Sequence, residues 1–127
     1  MDLQSFSEDL SLGVDIESIV RFEEMIRRLK RSTMKRVYTD HEQAYCFAKK
    51  NPAPSLAARF AFKEATFKAL STLGQKIYYR QVQIVNSPSG APEAEFLSEE
   101  LNRKFKLKVT LSHSRHDAIA IVLAIRL

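Results

Sequence analysis

The apolar positions of this chain change their period several times, and each change marks an element. LSLGVDI (10–16) is densely apolar over a short span and reads as a strand, with Gly13 marking a bend or close backbone approach. Ile19, Phe22, Ile26 and Leu29 then recur at steps of three and four, which predicts an amphipathic helix over 18–31 with Ser18 as its N-cap. YTDHEQAYCFAKK (38–50) predicts a short helix capped by Thr39 or Asp40, and NPAP (51–54) breaks the chain after it. Pro54 and Ser55 open the strongest helix, 55–73, rich in Ala, Leu, Lys and Phe, and Gly74 stops it.

The second half is mostly extended. VQIVN (82–86) and EAEFL (93–97) read as strands around the turn cluster NSPSGAP (86–92). Ser98, Glu99 and Glu100 resemble a helix start, with Leu101 and Phe105 on one apolar face. LKVTLSHS (107–114) and AIAIVLAIRL (118–127) would pair as a hairpin across the turn at 115–117. Strands near both ends with helices between them predict an α+β domain, a mixed sheet with helices packed on it. We expect a single domain over 1–127, with 1–9 as a flexible N-terminal extension.

Composition narrows the class without naming it. The chain has 127 residues, 45% hydrophobic and 28% charged, enough for one core without staples. One cysteine, Cys46, excludes an internal disulfide and fits a reducing compartment. No segment approaches the roughly 18 apolar residues of a membrane span, and MDLQSFSEDL lacks a basic secretory start. The expectation is a cytoplasmic domain without a membrane partner. The net charge of +5 is local: residues 21–36 hold seven basic side chains against Glu23 and Glu24. Such a patch draws an anionic partner.

The chemistry-bearing residues concentrate in RFAFKEATFKAL (59–70). On a helix Glu64 and Lys68 lie one turn apart, beside Arg59 and Lys63. The ordinary reading is a solvated helix face with a Glu64–Lys68 ion pair. The sharper reading is a carboxylate ligand for Mg²⁺ among cations that hold phosphates. Asp15, at the end of an apolar strand after a glycine, would be the second acid, its ordinary role being a cap or Asx turn. His113 alternates onto the face of Val109 and Leu111, as a core histidine or as a phosphate contact at a strand end. Ser112 and Ser114 fall on the opposite face, which makes a Ser–His dyad within the strand geometrically poor. Arg21, Met25 and Arg28 form a basic and apolar stripe suited to an acidic amphipathic helix, or else Glu24–Arg28 is an intrahelical pair. No Walker-type loop occurs, which disfavours P-loop hydrolysis.

GVDI with Arg21 six residues after Asp15, YTDHE (38–42), ARFAFKEATFKAL (58–70), SGAP (89–92) and LSHS (111–114) stand in one order. That order and spacing resemble holo-acyl-carrier-protein synthase, the short class of 4′-phosphopantetheinyl transferases, from about residue 10 to the C-terminus. The resemblance implies transfer of the phosphopantetheine arm of coenzyme A to a serine of apo acyl carrier protein, releasing adenosine 3′,5′-bisphosphate. It implies Mg²⁺ held by Asp15 and Glu64, with Glu64 and Lys68 catalytic. Arg59, Lys63, Lys68 and His113 would contact coenzyme A phosphates, and Arg21, Met25 and Arg28 the acidic carrier helix. It further implies the family's own fold and a homotrimer with active sites between subunits. The chain departs from the family pattern where Ser71-Thr72-Leu73-Gly74 replaces a Gly-x-Gly, and where Ser11 replaces a glycine. The competing classes are a family member that binds carrier without transfer and a basic nucleic-acid-binding module. Against the module stand the lack of an aromatic-rich basic strand and the confinement of charge to one helix.

Overall fold

The computed structural model describes residues 2–28 and 31–127. The chain runs α1 (Leu3–Glu8), β1 (Leu10–Ser18), α2 (Ile19–Arg27), α3 (Arg31–Val37), α4 (Asp40–Phe47) and α5 (Ala53–Thr72). After a 3₁₀ turn at Tyr79–Gln81 come β2 (Val82–Asn86), β3 (Pro92–Phe96), α6 (Glu99–Lys104), β4 (Phe105–His113) and β5 (Asp117–Arg126). The α+β class holds, with helices packed on sheet as expected. The single mixed sheet resolves instead into two antiparallel ones, β1-β5-β4 and the hairpin β2-β3. Two short hairpins make β2-β3 and β4-β5 antiparallel: turns at 87–91 and 114–116 are too short to permit the crossovers that parallel pairing needs.

Local signals set most boundaries. Ser18 caps α2 by accepting from the Arg21 N–H at 3.4 Å. Thr39 caps α4 in a capping box with Glu42, and Ser98 caps α6. Gly74, at φ +80°, follows α5 where only a residue tolerant of left-handed backbone ends a helix cleanly. The helix expected over 18–31 ends earlier, at Arg27. The backbone N–H of Arg28 turns back to the Glu24 and Ile26 carbonyls at φ −88°, ψ 2°, and a second helix begins at Arg31. Leu29 and Lys30 of that expectation lie outside the described residues.

α5 is the axis of the molecule. Its first half packs with Ile19, Phe22, Met34, Tyr38 and Ala118; its second half packs with Val82, Ile84, Phe96, Phe105 and the inner face of β5. Alanines at 57, 61, 65 and 69 of α5 and at 118, 120 and 124 of β5 are all fully buried. Small side chains on both surfaces let helix and sheet backbones approach closely. β1 shows the extreme case. A Cβ on Gly13 would run into the Ala65 carbonyl oxygen, lying 2.8 Å from its carbon and 3.1 Å from the Ala69 nitrogen.

Strand alternation then divides β1 into two faces. Ser11, Gly13, Asp15 and Glu17 face α5, while Leu12, Val14 and Ile16 face outward. Val14 and Ile16 pair in register with Ile121 and Ile119 of β5, and Leu12 with Leu123. The outer face of the sheet is thus apolar, with Leu12 70% and Ile16 61% exposed.

Candidate active site

The contact at Gly13 determines what meets above it. Two residues along β1 and less than one turn back along α5 from Ala65, Asp15 and Glu64 come to the same end of the crossing. Lys68 does not pair with Glu64 as the ordinary reading supposed. Its Nζ crosses to β1, donating to the Val14 carbonyl at 3.0 Å and to Asp15 Oδ1 at 3.2 Å. Asp15 Oδ2 is buried with no hydrogen-bond partner. Glu64 Oε1 accepts from the Tyr79 hydroxyl at 2.7 Å.

A third carboxylate, Glu17, shares the face of Asp15. Burial raises its pKa, the charge of Asp15 adds to this, Arg21 opposes it and Glu64 adds further. Glu17 Oε1 accepts from Arg21 Nη2 at 2.7 Å, and the guanidinium lies over the Phe22 ring, 5.4 Å from its centroid. The alternation that places Asp15 also places Glu17, so the strand pattern carried the signal. Tyr79 had none, because it sits in a segment without periodicity.

The donor set fits a small hard cation. Two carboxylates from different elements, one with an orphaned buried oxygen, match the preference of Mg²⁺ for few protein ligands completed by water and substrate oxygens. Among the described residues no group of three or more His, Cys, Asp or Glu side chains forms a closed metal cage.

The basic residues divide sharply. Arg59 is 4% exposed, stacks on Tyr45 with its guanidinium carbon 4.2 Å from the ring centroid, and donates to Asn86 Oδ1 at 3.4 Å. Its Nε is buried without a partner, which leaves donor capacity for an anion. Lys63 differs from expectation. It is fully buried, forms a 2.7 Å ion pair with Glu42, and donates to the Tyr79 and Val82 carbonyls at 2.7 and 2.6 Å. All three ammonium donors are used, so Lys63 has no hydrogen left for a phosphate, and that assignment is corrected. Burial lowers its pKa, and the Glu42 carboxylate works against this.

His113 lies on the inner-facing side of β4, as the alternation predicted, but at its exposed end, where its ring hydrogen-bonds the Ser114 carbonyl at 3.2 Å. The core-histidine reading fails on that exposure. The structure does not bring His113 into hydrogen-bonding contact with the carboxylates. Arg21 and Met25 lie on α2, with Arg28 as its C-cap. Met25 and Arg28 border a cavity of about 170 Å³ with Thr33 and Met34. The Glu24–Arg28 alternative gives way, for the acid beside this stripe is Glu17, paired to Arg21.

Comparison with known proteins identifies the family. A family model described as the 4′-phosphopantetheinyl transferase superfamily matches residues 11–122. The chain is 37% identical over 115 residues to a holo-(acyl-carrier-protein) synthase from Chlorobaculum parvum, covering 90% of this chain and 97% of that one. It is 40% identical over 114 residues to the synthase of Protochlamydia amoebophila, covering 87% and 93%. Among solved structures it resembles the Helicobacter pylori synthase in complex with coenzyme A, with TM-score 0.76 and 32% identity, covering 89% and 98%. It also resembles a Bacillus anthracis synthase in complex with CoA (3′,5′-ADP), with TM-score 0.77 and 26% identity, covering 92% and 96%.

Proposed function

The chain belongs to the holo-acyl-carrier-protein synthase family of 4′-phosphopantetheinyl transferases, and from this premise we propose how its residues carry out the transfer. It is an enzyme of that class, using coenzyme A to modify apo acyl carrier protein. The observation that carries the reading is the Lys68–Asp15 contact where α5, the helix that bears Glu64, crosses β1. Asp15 and Glu64 would hold Mg²⁺, which neutralises charge on the pyrophosphate.

The reaction needs positioning and charge more than covalent help. The carrier serine oxygen attacks the β-phosphorus of coenzyme A. The bond to the oxygen bridging the α-phosphorus breaks, and adenosine 3′,5′-bisphosphate leaves. Glu64, or a water that it orients, takes the serine proton, while its Oε1 stays engaged by Tyr79. Lys68 Nζ, on a side chain 56% exposed, can turn a donor to the pyrophosphate without losing Asp15. Arg59 and His113 are the contacts for the remaining phosphates, Arg59 through its unspent Nε–H. Arg21, Met25 and Arg28 receive the acidic carrier helix, the methionine seating an apolar side chain between the two guanidinium groups.

Mass spectrometry of apo carrier incubated with the protein, coenzyme A and Mg²⁺ tests the reading. A phosphopantetheine-sized increase is expected, lost on chelation of the metal. Carrier binding without that increase, or salt-sensitive RNA binding alone, would overturn it.

The same reading includes a homotrimer with composite sites. The apolar outer face of β1 and β5, with Leu12, Val14, Ile16 and Ile121 all substantially exposed, supports it, since soluble monomers rarely leave such a patch uncovered. Leu12→Lys is expected to convert trimer to monomer in light scattering and to reduce transfer by at least about tenfold, since a buried interfacial charge without a partner costs several kcal/mol. The side chain points away from α5, so the monomer fold should persist by circular dichroism. A Leu12→Lys protein that remains trimeric would exclude this face as the interface.

A further inference from the structure

We propose that Tyr79 is a positioning residue for the catalytic carboxylate, and that the buried Glu42–Lys63 pair holds it in place. The inference rests on the reading of Glu64 as a metal-holding and proton-accepting group.

The chain of contacts is continuous. Glu42, on α4, and Lys63, on α5, are both fully buried and paired at 2.7 Å. Lys63 Nζ donates to the main-chain carbonyls of Tyr79 and Val82, at the two ends of the 3₁₀ turn. It thereby fixes the backbone from which the Tyr79 ring projects. That ring is held on two sides, stacked on Phe60 at 5.6 Å and tilted against Phe67 at 4.8 Å between centroids. Its hydroxyl ends 2.7 Å from Glu64 Oε1.

A ring clamped by two aromatic neighbours and a tethered backbone has little freedom left. Its hydroxyl therefore presents a fixed donor, and a glutamate carboxylate, free to rotate about its last torsion, takes its orientation from that donor. The bond occupies Oε1 and leaves Oε2 as the oxygen available to a metal or a proton. Partners of this kind, one bond removed from a metal ligand, set ligand orientation in many metal sites. Lys63 precedes Glu64 directly, so one helical turn carries both the ligand and the group that anchors its orienting partner. The anchor is also insulated. A pair with no solvent access is scarcely screened by salt, so the turn keeps its position when ionic conditions change at the surface.

Tyr79→Phe removes the hydroxyl and keeps the ring. With Mn²⁺ as the probe metal and coenzyme A present, paramagnetic titration should show a dissociation constant raised by about tenfold. The kcat should fall by a similar factor, with KM for coenzyme A within about twofold and the melting temperature unchanged. Unaltered Mn²⁺ affinity and kcat would overturn the proposal. A fall in stability matching the fall in activity would also overturn it, because the residue would then be structural. A second measurement leaves position 79 intact: with ¹³Cζ-labelled tyrosine, the Tyr79 resonance should shift on adding Mg²⁺ and coenzyme A. An unmoved resonance counts against the assignment. Wild-type protein without metal-dependent transfer would instead defeat the underlying reading, which keeps the two failures apart.

Discussion

Glu64→Gln is expected to reduce phosphopantetheine transfer by about a thousandfold, equivalent to about 4 kcal/mol of transition-state stabilisation, while the fold survives. The substitution changes charge and almost nothing else. The amide oxygen can still accept from the Tyr79 hydroxyl, so the ring and its turn keep their partner. The lost charge removes both a metal ligand and a proton acceptor, and neither is replaced nearby. Asp15 has Oδ1 committed to Lys68, and Glu17 has Oε1 committed to Arg21. Stability should hold or rise slightly, because Glu64 is one of the charges that disfavour ionisation of Glu17. Steady-state turnover with excess Mg²⁺, alongside thermal melting, separates the outcomes. Undiminished turnover would defeat the assignment of Glu64, and a collapse of the melting transition would mean that the carboxylate holds the fold.

Gly13→Ala should produce the largest loss of stability, about 3 kcal/mol or more, lowering the melting temperature by about 10 °C. The cause is space. Gly13 has no positive φ, unlike Gly74 and Gly90, so alanine is acceptable to the backbone itself. The added methyl would meet the Ala65 carbonyl and the Ala69 nitrogen, and both are backbone atoms inside a helix. They cannot swing aside as a side-chain end would. Relief requires α5 to lift from β1, which opens the seam between Asp15 and Lys68 and separates the two carboxylates. Activity should therefore fall further than the folded fraction predicts. Differential scanning calorimetry with activity per folded molecule distinguishes this from simple unfolding. A melting temperature within a degree or two of wild type would show that the crossing has slack.

The legibility of these features in the sequence follows the range of the forces involved. Ser18, Thr39, Ser98 and Gly74 act within one turn of their own position, and the residue types alone announced the element ends. Alternation along β4 placed His113 on the inner-facing side of its strand. Lys63 was misassigned because burial is a tertiary property: on the helix it stands beside Arg59 and Glu64 like any surface lysine. Glu42, its partner, comes from an element 21 residues earlier. Tyr79 was invisible for the same reason, since a lysine reaching its carbonyls across 16 residues orders its turn rather than any local pattern. The short hairpin turns fix antiparallel pairing within β2-β3 and β4-β5, whereas the strand signals by themselves do not specify which edges join. α3 went unassigned because RSTMKRV has only Met34 and Val37 to mark a buried face.

The alternation in β1 gives this strand an unusual intolerance of length. Its odd-numbered residues serve the helix and the chemistry, and its even-numbered residues make the greasy outer surface. A single amino acid inserted between Gly13 and Asp15 would reverse the two from that point on, sending the carboxylate outward and an isoleucine toward the helix. Substitutions along β1 can be judged one at a time, but an insertion or deletion of one residue disables both surfaces in a single event. Among relatives of this chain, change in this segment should therefore proceed by replacement, with length variation confined to the turns at 87–91 and 114–116.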